Sequence, residues 1–191
     1  MVSTIDAQRG MIARRGVLAL AGGTLAAGLV ARKPRAAESF PGPESLRKLA
    51  QPVAHPTLGF TLADGSRRTL ADYAGKALVV NFWATWCAPC VAEMPALAAL
   101  ARTGAAEGIL VLPVSLDRGG APAVEKFYQN HRLVDLPVLL DPKSAAMQVL
   151  GLQGVPQTLI IGRDGTERAR SAGPVAWDRP DVLAVIRALV G

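Results

Sequence analysis

Apolar residues form two nearly unbroken runs, at residues 77–83 and 109–115, as is typical of strands buried on both faces of a sheet. Each run is followed by a segment with helical spacing of its apolar residues, at residues 88–103 and 121–131. Alternating buried strands and amphipathic helices favour a sheet with parallel strands at its centre.

Two further segments have the pattern of β-hairpins. Residues 60–69 turn at Asp64-Gly65, and residues 157–172 turn at Asp164-Gly165. The remaining predicted elements are a strand at residues 136–140 and helices at residues 144–150 and 178–190. The whole pattern predicts an α/β fold in which helices flank a central mixed β-sheet, with an N-terminal β-hairpin extension.

Residues 1–37 differ from the rest of the chain and have the pattern of an export signal. Arg14-Arg15 precede an apolar run at residues 16–30, which is shorter than the roughly 20 residues that a membrane-spanning helix needs. Paired arginines, weak hydrophobicity and basic residues after the run are typical of a twin-arginine signal. We expect cleavage near Ala37; a retained membrane anchor or a disordered tail are the alternatives.

After this leader, residues 38–57 contain four of the 14 prolines and are predicted to be a linker with a short helix at residues 44–50. Residues 58–191 then form one domain. Six of the 21 basic residues and one of the 15 acidic residues lie in the leader, which leaves the remaining chain nearly neutral. We therefore expect no nucleic-acid partner.

The chain has two cysteines, Cys87 and Cys90, at the point where a buried strand ends and a helix begins. Unpaired N–H groups and the helix dipole at this end favour an anion, which lowers the pKa of Cys87 and makes it a nucleophile. Cys90 lies one turn further along the same face, where it can close a disulfide, and Pro89 suits a first helical turn. The predicted chemistry is disulfide exchange, with Cys87 attacking and Cys90 resolving the mixed disulfide.

A metal site, a structural bridge and a peroxidase site all fit the cysteine pair less well. A metal site lacks ligands, because His55 and His131 stand alone, so no metal is expected. A structural bridge across so short a loop would constrain little of the unfolded chain. A peroxidase would need a Thr or Ser three residues before a reactive cysteine, where this chain has Ala84.

Residues 79–95, which contain Trp86-Cys-Ala-Pro-Cys90, resemble the active-site segment of thioredoxin-like proteins, most closely the TlpA/ResA-like extracytoplasmic branch. The likeness continues through Gly154-Val-Pro-Gln-Thr158 and Gly162-Arg-Asp-Gly165. The resemblance implies a thioredoxin fold for residues 58–191, no cofactor, and dithiol–disulfide exchange with proteins outside the cytoplasm.

The resemblance also gives roles to single residues. It implies that Pro156 follows a cis peptide bond opposite the cysteines, which exposes the backbone of Val155 to a substrate peptide. It implies that Glu93, one turn after Cys90, takes part in proton transfer, because Asn81 stands where cytoplasmic thioredoxins have a buried aspartate. The alternative for Glu93 is a solvated helix residue. We expect Trp86 and Pro89 to form part of the surface that contacts a substrate, and Trp83 to belong to the core beside the site.

The resulting expectation is a periplasmic thiol-disulfide oxidoreductase that reduces cysteines of client proteins, in cytochrome c maturation or at a metal site. A membrane thiol-disulfide protein is the expected electron donor. The alternatives are a thiol oxidant or isomerase, and a metallochaperone that carries copper on the two thiolates.

Overall fold

The structure is a computed structural model that describes residues 40–55 and 57–191. Its strands are β1 (Arg47–Ala54), β2 (Gly59–Leu62), β3 (Arg67–Thr69), β4 (Ala77–Trp83), β5 (Ile109–Ser115), β6 (Leu139–Leu140), β7 (Gln157–Ile161) and β8 (Thr166–Ala172). Its α-helices are α1 (Ala88–Ala105), α2 (Gly120–His131), α3 (Ala145–Val149) and α4 (Pro180–Val190). The predicted leader, residues 1–37, lies outside the described residues.

The eight strands form one mixed sheet in the order β1-β8-β7-β4-β5-β6-β2-β3. At its centre β4, β5 and β6 are parallel, whereas β7 pairs with β4 in the antiparallel direction. Every residue of β4 is buried, which is the outcome expected of a continuous apolar run at the middle of a sheet. This topology places the end of β4, and the start of the helix that follows it, at the middle of the sheet.

Helices flank the sheet and cover its apolar residues. The predicted inward face of α2, formed by Val124, Phe127 and Tyr128, is buried. Trp83 at the end of β4 packs against two of these rings, with centroid distances of 5.1 Å to Phe127 and 5.8 Å to Tyr128. The predicted α/β fold, both β-hairpins and the core position of Trp83 are confirmed.

The short helix predicted at residues 44–50 is wrong. A 3-10 turn at Pro43–Ser45 leads directly into β1, which pairs with β8 at the edge of the sheet. Seven of the eight residues of β1 are exposed, so the strand carries no apolar alternation that its sequence could reveal. Part of the segment predicted as a linker therefore belongs to the sheet.

Among residues 40–55 and 57–191, no helix combines the length and the apolar character that crossing a membrane requires.

Candidate active site

Cys87 and Cys90 lie where β4 gives way to α1, and the structure joins them in a disulfide. Cys87 is the N-cap residue of α1, and the backbone N–H of Cys90 donates a hydrogen bond of 3.3 Å to Cys87 Sγ. Cys90 is fully buried, whereas 6% of the Cys87 surface remains exposed. Pro89 is exposed in the first turn, as its sequence position predicts.

This placement suits the two sulfurs to different tasks. When the pair is reduced, the N–H groups at the start of α1 stabilise a thiolate on Cys87. Cys90 has no direct route to a large partner because it is enclosed by the protein. Only Cys87 can therefore meet a protein disulfide first, and Cys90 can attack only what is already bound to Cys87.

The loop that leads into Cys87 is held by a carboxylate that the sequence did not point to. Asp117 Oδ2 accepts a hydrogen bond of 2.9 Å from the backbone N–H of Thr85, and Oδ1 accepts one of 2.6 Å from its hydroxyl. The hydroxyl of Ser115 also donates to Asp117 Oδ2, at 2.8 Å. Asp117 follows β5, a strand parallel to β4, so sheet topology brings it to this loop and sequence spacing gives no signal.

A second loop lies against the sulfur of Cys87. The peptide bond between Val155 and Pro156 is cis, as the resemblance implied, and Val155 O is 3.7 Å from Cys87 Sγ. Pro156 is buried, and Val155 is partly exposed. A client segment joined to Cys87 would therefore lie beside the backbone of Val155.

A groove of about 1170 Å³ runs between Trp86 and Val155. Trp86 is 69% exposed, and Leu116, Met147 and Leu152 add apolar surface to the lining. Of the predicted substrate-binding residues, Trp86 and Val155 line this groove, whereas Pro89 and Pro156 do not. The charged side chains of Asp117, Arg118 and Lys143 also line the groove, and Trp86 and Val155 place it next to Cys87. A groove with both apolar and polar surface beside the reactive sulfur is suited to an extended peptide segment.

Glu93 lies on α1 one turn after Cys90 and is fully buried, so the alternative of a solvated helix residue is wrong. Its carboxylate accepts hydrogen bonds from Asn81 Nδ2 (2.9 Å), the backbone N–H of Val175 (3.0 Å) and Trp177 Nε1 (3.0 Å). Burial raises the pKa of Glu93 to about 7, and the three hydrogen bonds oppose this rise. A carboxyl with a pKa near neutrality can accept and release a proton at physiological pH.

Asn81 connects Glu93 to Thr158, a residue of the Gly154–Thr158 match for which the sequence predicted no role. Its Nδ2 donates a second hydrogen bond, of 2.9 Å, to Thr158 Oγ1. Thr158 lies opposite Asn81 in the pairing of β4 with β7, and both are fully buried. Val175, Trp177 and Thr158 approach Glu93 or Asn81 from distant parts of the chain, which explains why no local pattern predicted them.

Over residues 53–170 the sequence matches a known protein family, described as the AhpC/TSA family. The chain belongs to the AhpC/TSA family. The thiol-disulfide oxidoreductase ResA of Geobacillus thermodenitrificans is 34% identical to it over 122 residues, covering 62% of this chain and 68% of that protein. ResA of Bacillus subtilis is 32% identical over 108 residues, covering 56% of this chain and 59% of the relative.

Solved structures agree with this member of the AhpC/TSA family in fold. A crystal structure of a putative thiol:disulfide interchange protein DsbE from Chlorobium tepidum matches with a TM-score of 0.63 and 26% identity. The match covers 75% of this chain and 99% of that one. The thioredoxin-like architecture is thereby confirmed, and with the Cys87–Cys90 pair the relatives identify the protein as a thiol-disulfide oxidoreductase.

Within residues 40–55 and 57–191, no three His, Cys, Asp or Glu side chains come together as a metal site would require.

Proposed function

We propose that the protein is an extracytoplasmic reductant of protein disulfides in which Cys87 attacks the client and Cys90 releases it. The observation that carries this proposal is the difference between the two sulfurs. Cys87 caps α1 and keeps 6% of its surface exposed, whereas Cys90, one turn further along the helix, is fully buried. Such a pair can capture a client through one sulfur and release it through the other.

The reaction transfers two electrons from the dithiol to the client. The Cys87 thiolate attacks one sulfur of the client disulfide, forms a mixed disulfide and displaces the other client sulfur as a thiolate. Cys90 then loses its proton and attacks Cys87 Sγ, which forms the Cys87–Cys90 disulfide and displaces the second client thiolate. Protons taken up by the two thiolates complete the reduced client.

Glu93 is the proposed acceptor of the proton that Cys90 loses. Cys90 is shielded from solvent, so a base inside the protein is needed to remove its proton. Glu93 lies one helical turn away on the same helix, and its pKa of about 7 makes it an effective base at neutral pH. It can return the proton to solvent or to the product thiolate after the client leaves.

The proposed client site is the groove beside Cys87. Trp86 provides an exposed apolar ring, and the backbone of Val155 offers strand-like pairing to an extended segment. Pro156 offers no N–H of its own near the sulfurs, and Pro89 lies exposed on the adjacent turn. Clients are thus proteins that present a cysteine on an accessible, extended segment.

The direction of electron flow and the location rest on the sequence. The twin-arginine-like pattern of residues 1–37 supports export, and the TlpA/ResA-like resemblance supports reduction of cysteines in cytochrome c maturation or at a metal site. In an oxidising compartment the dithiol must be regenerated, and we propose a membrane thiol-disulfide protein as the donor. No cofactor enters the proposed cycle.

A trapping experiment tests this function. Cys90→Ser should accumulate mixed disulfides between Cys87 and client proteins in an extracytoplasmic fraction, identified by mass spectrometry after reduction. Cys87→Ser, which keeps the buried sulfur, is the matched control and should trap none. Equal trapping by the two variants, or none by Cys90→Ser, would contradict the proposal.

The reduction potential tests the direction. A value near that of thioredoxin, about −270 mV, supports a reductant, and a value near about −120 mV would show an oxidant instead.

A further inference from the structure

The two oxygens of the Glu93 carboxylate have different kinds of partners. Oε2 accepts from the backbone N–H of Val175 and from Trp177 Nε1, both at 3.0 Å. Oε1 accepts from Asn81 Nδ2 at 2.9 Å. A backbone amide and an indole nitrogen are donors only, whereas a side-chain amide has a donor end and an acceptor end.

This difference decides where a proton can be placed on Glu93. A proton on Oε2 would point at two N–H groups, neither of which can accept it. A proton on Oε1 faces Asn81, which becomes an acceptor when its amide turns by half a rotation. Protonation of Glu93 at Oε1 therefore requires the amide of Asn81 to reverse.

The hydroxyl of Thr158 can change from acceptor to donor when the Asn81 amide reverses. In the structure Asn81 Nδ2 donates to Thr158 Oγ1 at 2.9 Å, so the threonine acts as an acceptor. A hydroxyl can also donate, and after the reversal it would donate to Asn81 Oδ1. Oδ1 has no hydrogen-bond partner among the residues described, so turning the amide breaks no bond on that side. The reversal places the NH2 group on that side without an acceptor, a cost that the hydrogen bonds accepted from neutral Glu93 and from Thr158 must offset.

We propose that Asn81 and Thr158 form a reversible hydrogen-bond relay that lets Glu93 gain and lose a proton while it stays buried. With Glu93 ionised, Asn81 donates to both neighbours, and with Glu93 neutral, Asn81 accepts from both. The proposal rests on the proposed function for the origin of the proton, which is the thiol of Cys90. Asn81 and Thr158 are positioning residues, since neither exchanges a proton with the cysteines.

Of the groups that contact Glu93, Asn81 is the one that can change from donor to acceptor when Glu93 gains a proton. Asn81 approaches from β4, and the segment before α4 supplies Val175 and Trp177. Cys90 is the titratable neighbour on α1 itself. Among the described residues no charged side chain shifts the pKa of Glu93, which responds to burial and to these three hydrogen bonds.

Nuclear magnetic resonance of the oxidised protein tests the relay without any turnover. Well above the pKa of about 7, the Asn81 Nδ2 protons should show cross-relaxation with the side chain of Thr158. Well below that pKa the cross-peaks should weaken strongly as the amide oxygen takes their place. Cross-peaks of unchanged strength on both sides of the transition would overturn the proposal.

Glu93→Gln gives a second, independent reading. The glutamine oxygen should accept from Val175 and Trp177, which directs its NH2 group toward Asn81. The Asn81 amide should then remain in the reversed orientation at every pH, with weak cross-peaks to Thr158. Wild-type cross-peaks in this variant would contradict the relay.

Thr158→Val and Thr158→Ser form a matched pair at the other end of the relay. Valine leaves one N–H of Asn81 unpaired when Glu93 is ionised, which should raise the pKa of Glu93 by roughly one unit. Serine keeps the hydroxyl and should restore the wild-type pKa. Equal pKa values of Glu93 in the two variants would count against the relay.

Failure of the relay is distinguishable from failure of the proposed function. A protein that traps clients through Cys87 but keeps one Asn81 orientation would have the function without the relay. A protein that reverses Asn81 but traps no client would have the relay without the function.

Discussion

Two glutamates are fully buried within residues 40–55 and 57–191, and the structure stabilises them in opposite ways. Glu167, on β8, accepts two hydrogen bonds from the guanidinium of Arg170, at 2.6 and 2.8 Å, and one of 2.9 Å from His55 Nε2. Glu93, on α1, accepts hydrogen bonds from three neutral N–H donors. In the part of the chain that the structure describes, one buried carboxylate has a cationic partner and the other has none.

The difference corresponds to two roles. Glu167, Arg170 and His55 form a cluster near the edge of the sheet, here called the Glu167 cluster. It connects His55, directly after β1, to β8, so we assign it a role in stabilising the fold. Glu93 lies one turn from Cys90, and without a cation its pKa rises to about 7. A buried acid that must exchange protons is thus better served by dipoles than by a salt bridge, because a fixed cation would hold it permanently ionised.

The largest expected effect concerns the structural glutamate. Arg170→Ala leaves the Glu167 carboxylate buried without its main counter-ion, which should lower the free energy of unfolding by about 3 kcal/mol. Chemical denaturation measures this change. Arg168→Ala, which removes a more exposed ion pair with Asp164, is the control and should cost less than about 1 kcal/mol. Similar losses in both variants would show that Glu167 does not depend on Arg170.

An effect of similar size is expected at Glu93. Its pKa is raised from 4.5 to about 7, so the folded state holds its proton more tightly than the unfolded state does. The stabilisation is complete below pH 4.5 and is lost as the pH rises through 7. The loss should be on the order of 3 kcal/mol, and Glu93→Gln should abolish it.

Denaturation at several pH values measures how steeply the free energy of unfolding falls with pH, and this slope is compared between variants. Glu125→Gln, which alters an exposed glutamate of α2, is the matched control and should keep the wild-type slope. A wild-type slope in Glu93→Gln would show that Glu93 does not titrate near neutral pH, and would contradict the separate roles given to Glu93 and Glu167.

The smallest expected effect is at the edge of the Glu167 cluster. His55→Ala removes one hydrogen bond to Glu167 while Arg170 remains, so the loss should be about 1 kcal/mol. Hydrogen exchange should be faster in β1 and β8 but unchanged in β4. If His55→Ala lowered the free energy of unfolding as much as Arg170→Ala does, His55 would stabilise the buried Glu167 carboxylate as strongly as Arg170.

The centre of the fold was predictable from sequence because burial on both faces leaves a clear pattern. The apolar runs of β4 and β5 and the turns at Asp64-Gly65 and Asp164-Gly165 identified strands that the structure contains. β1 was not predictable in the same way, since an exposed edge strand is specified by its pairing with β8 and by the Glu167 cluster.

In the candidate site, too, residues set by local sequence were predictable and residues set by distant contacts were not. The cysteine pair and Pro89 follow from local spacing, and the cis bond at Pro156 followed from the resemblance. Burial of Glu93 depends on Val175 and Trp177, which lie more than 80 residues away in sequence. Contacts at that distance are set by how α4 and its preceding segment pack, and no local pattern records them.

The most direct test of the account is the rate at which the reduced protein reduces a model protein disulfide, measured in single turnovers across the neutral pH range. In the wild type the rate of release of the second client thiolate should rise as Glu93 ionises, around pH 7. Glu93→Gln should lose that rise while Cys87 still forms the mixed disulfide. Superimposable pH profiles for the two proteins would contradict a role for Glu93 as the base that activates Cys90.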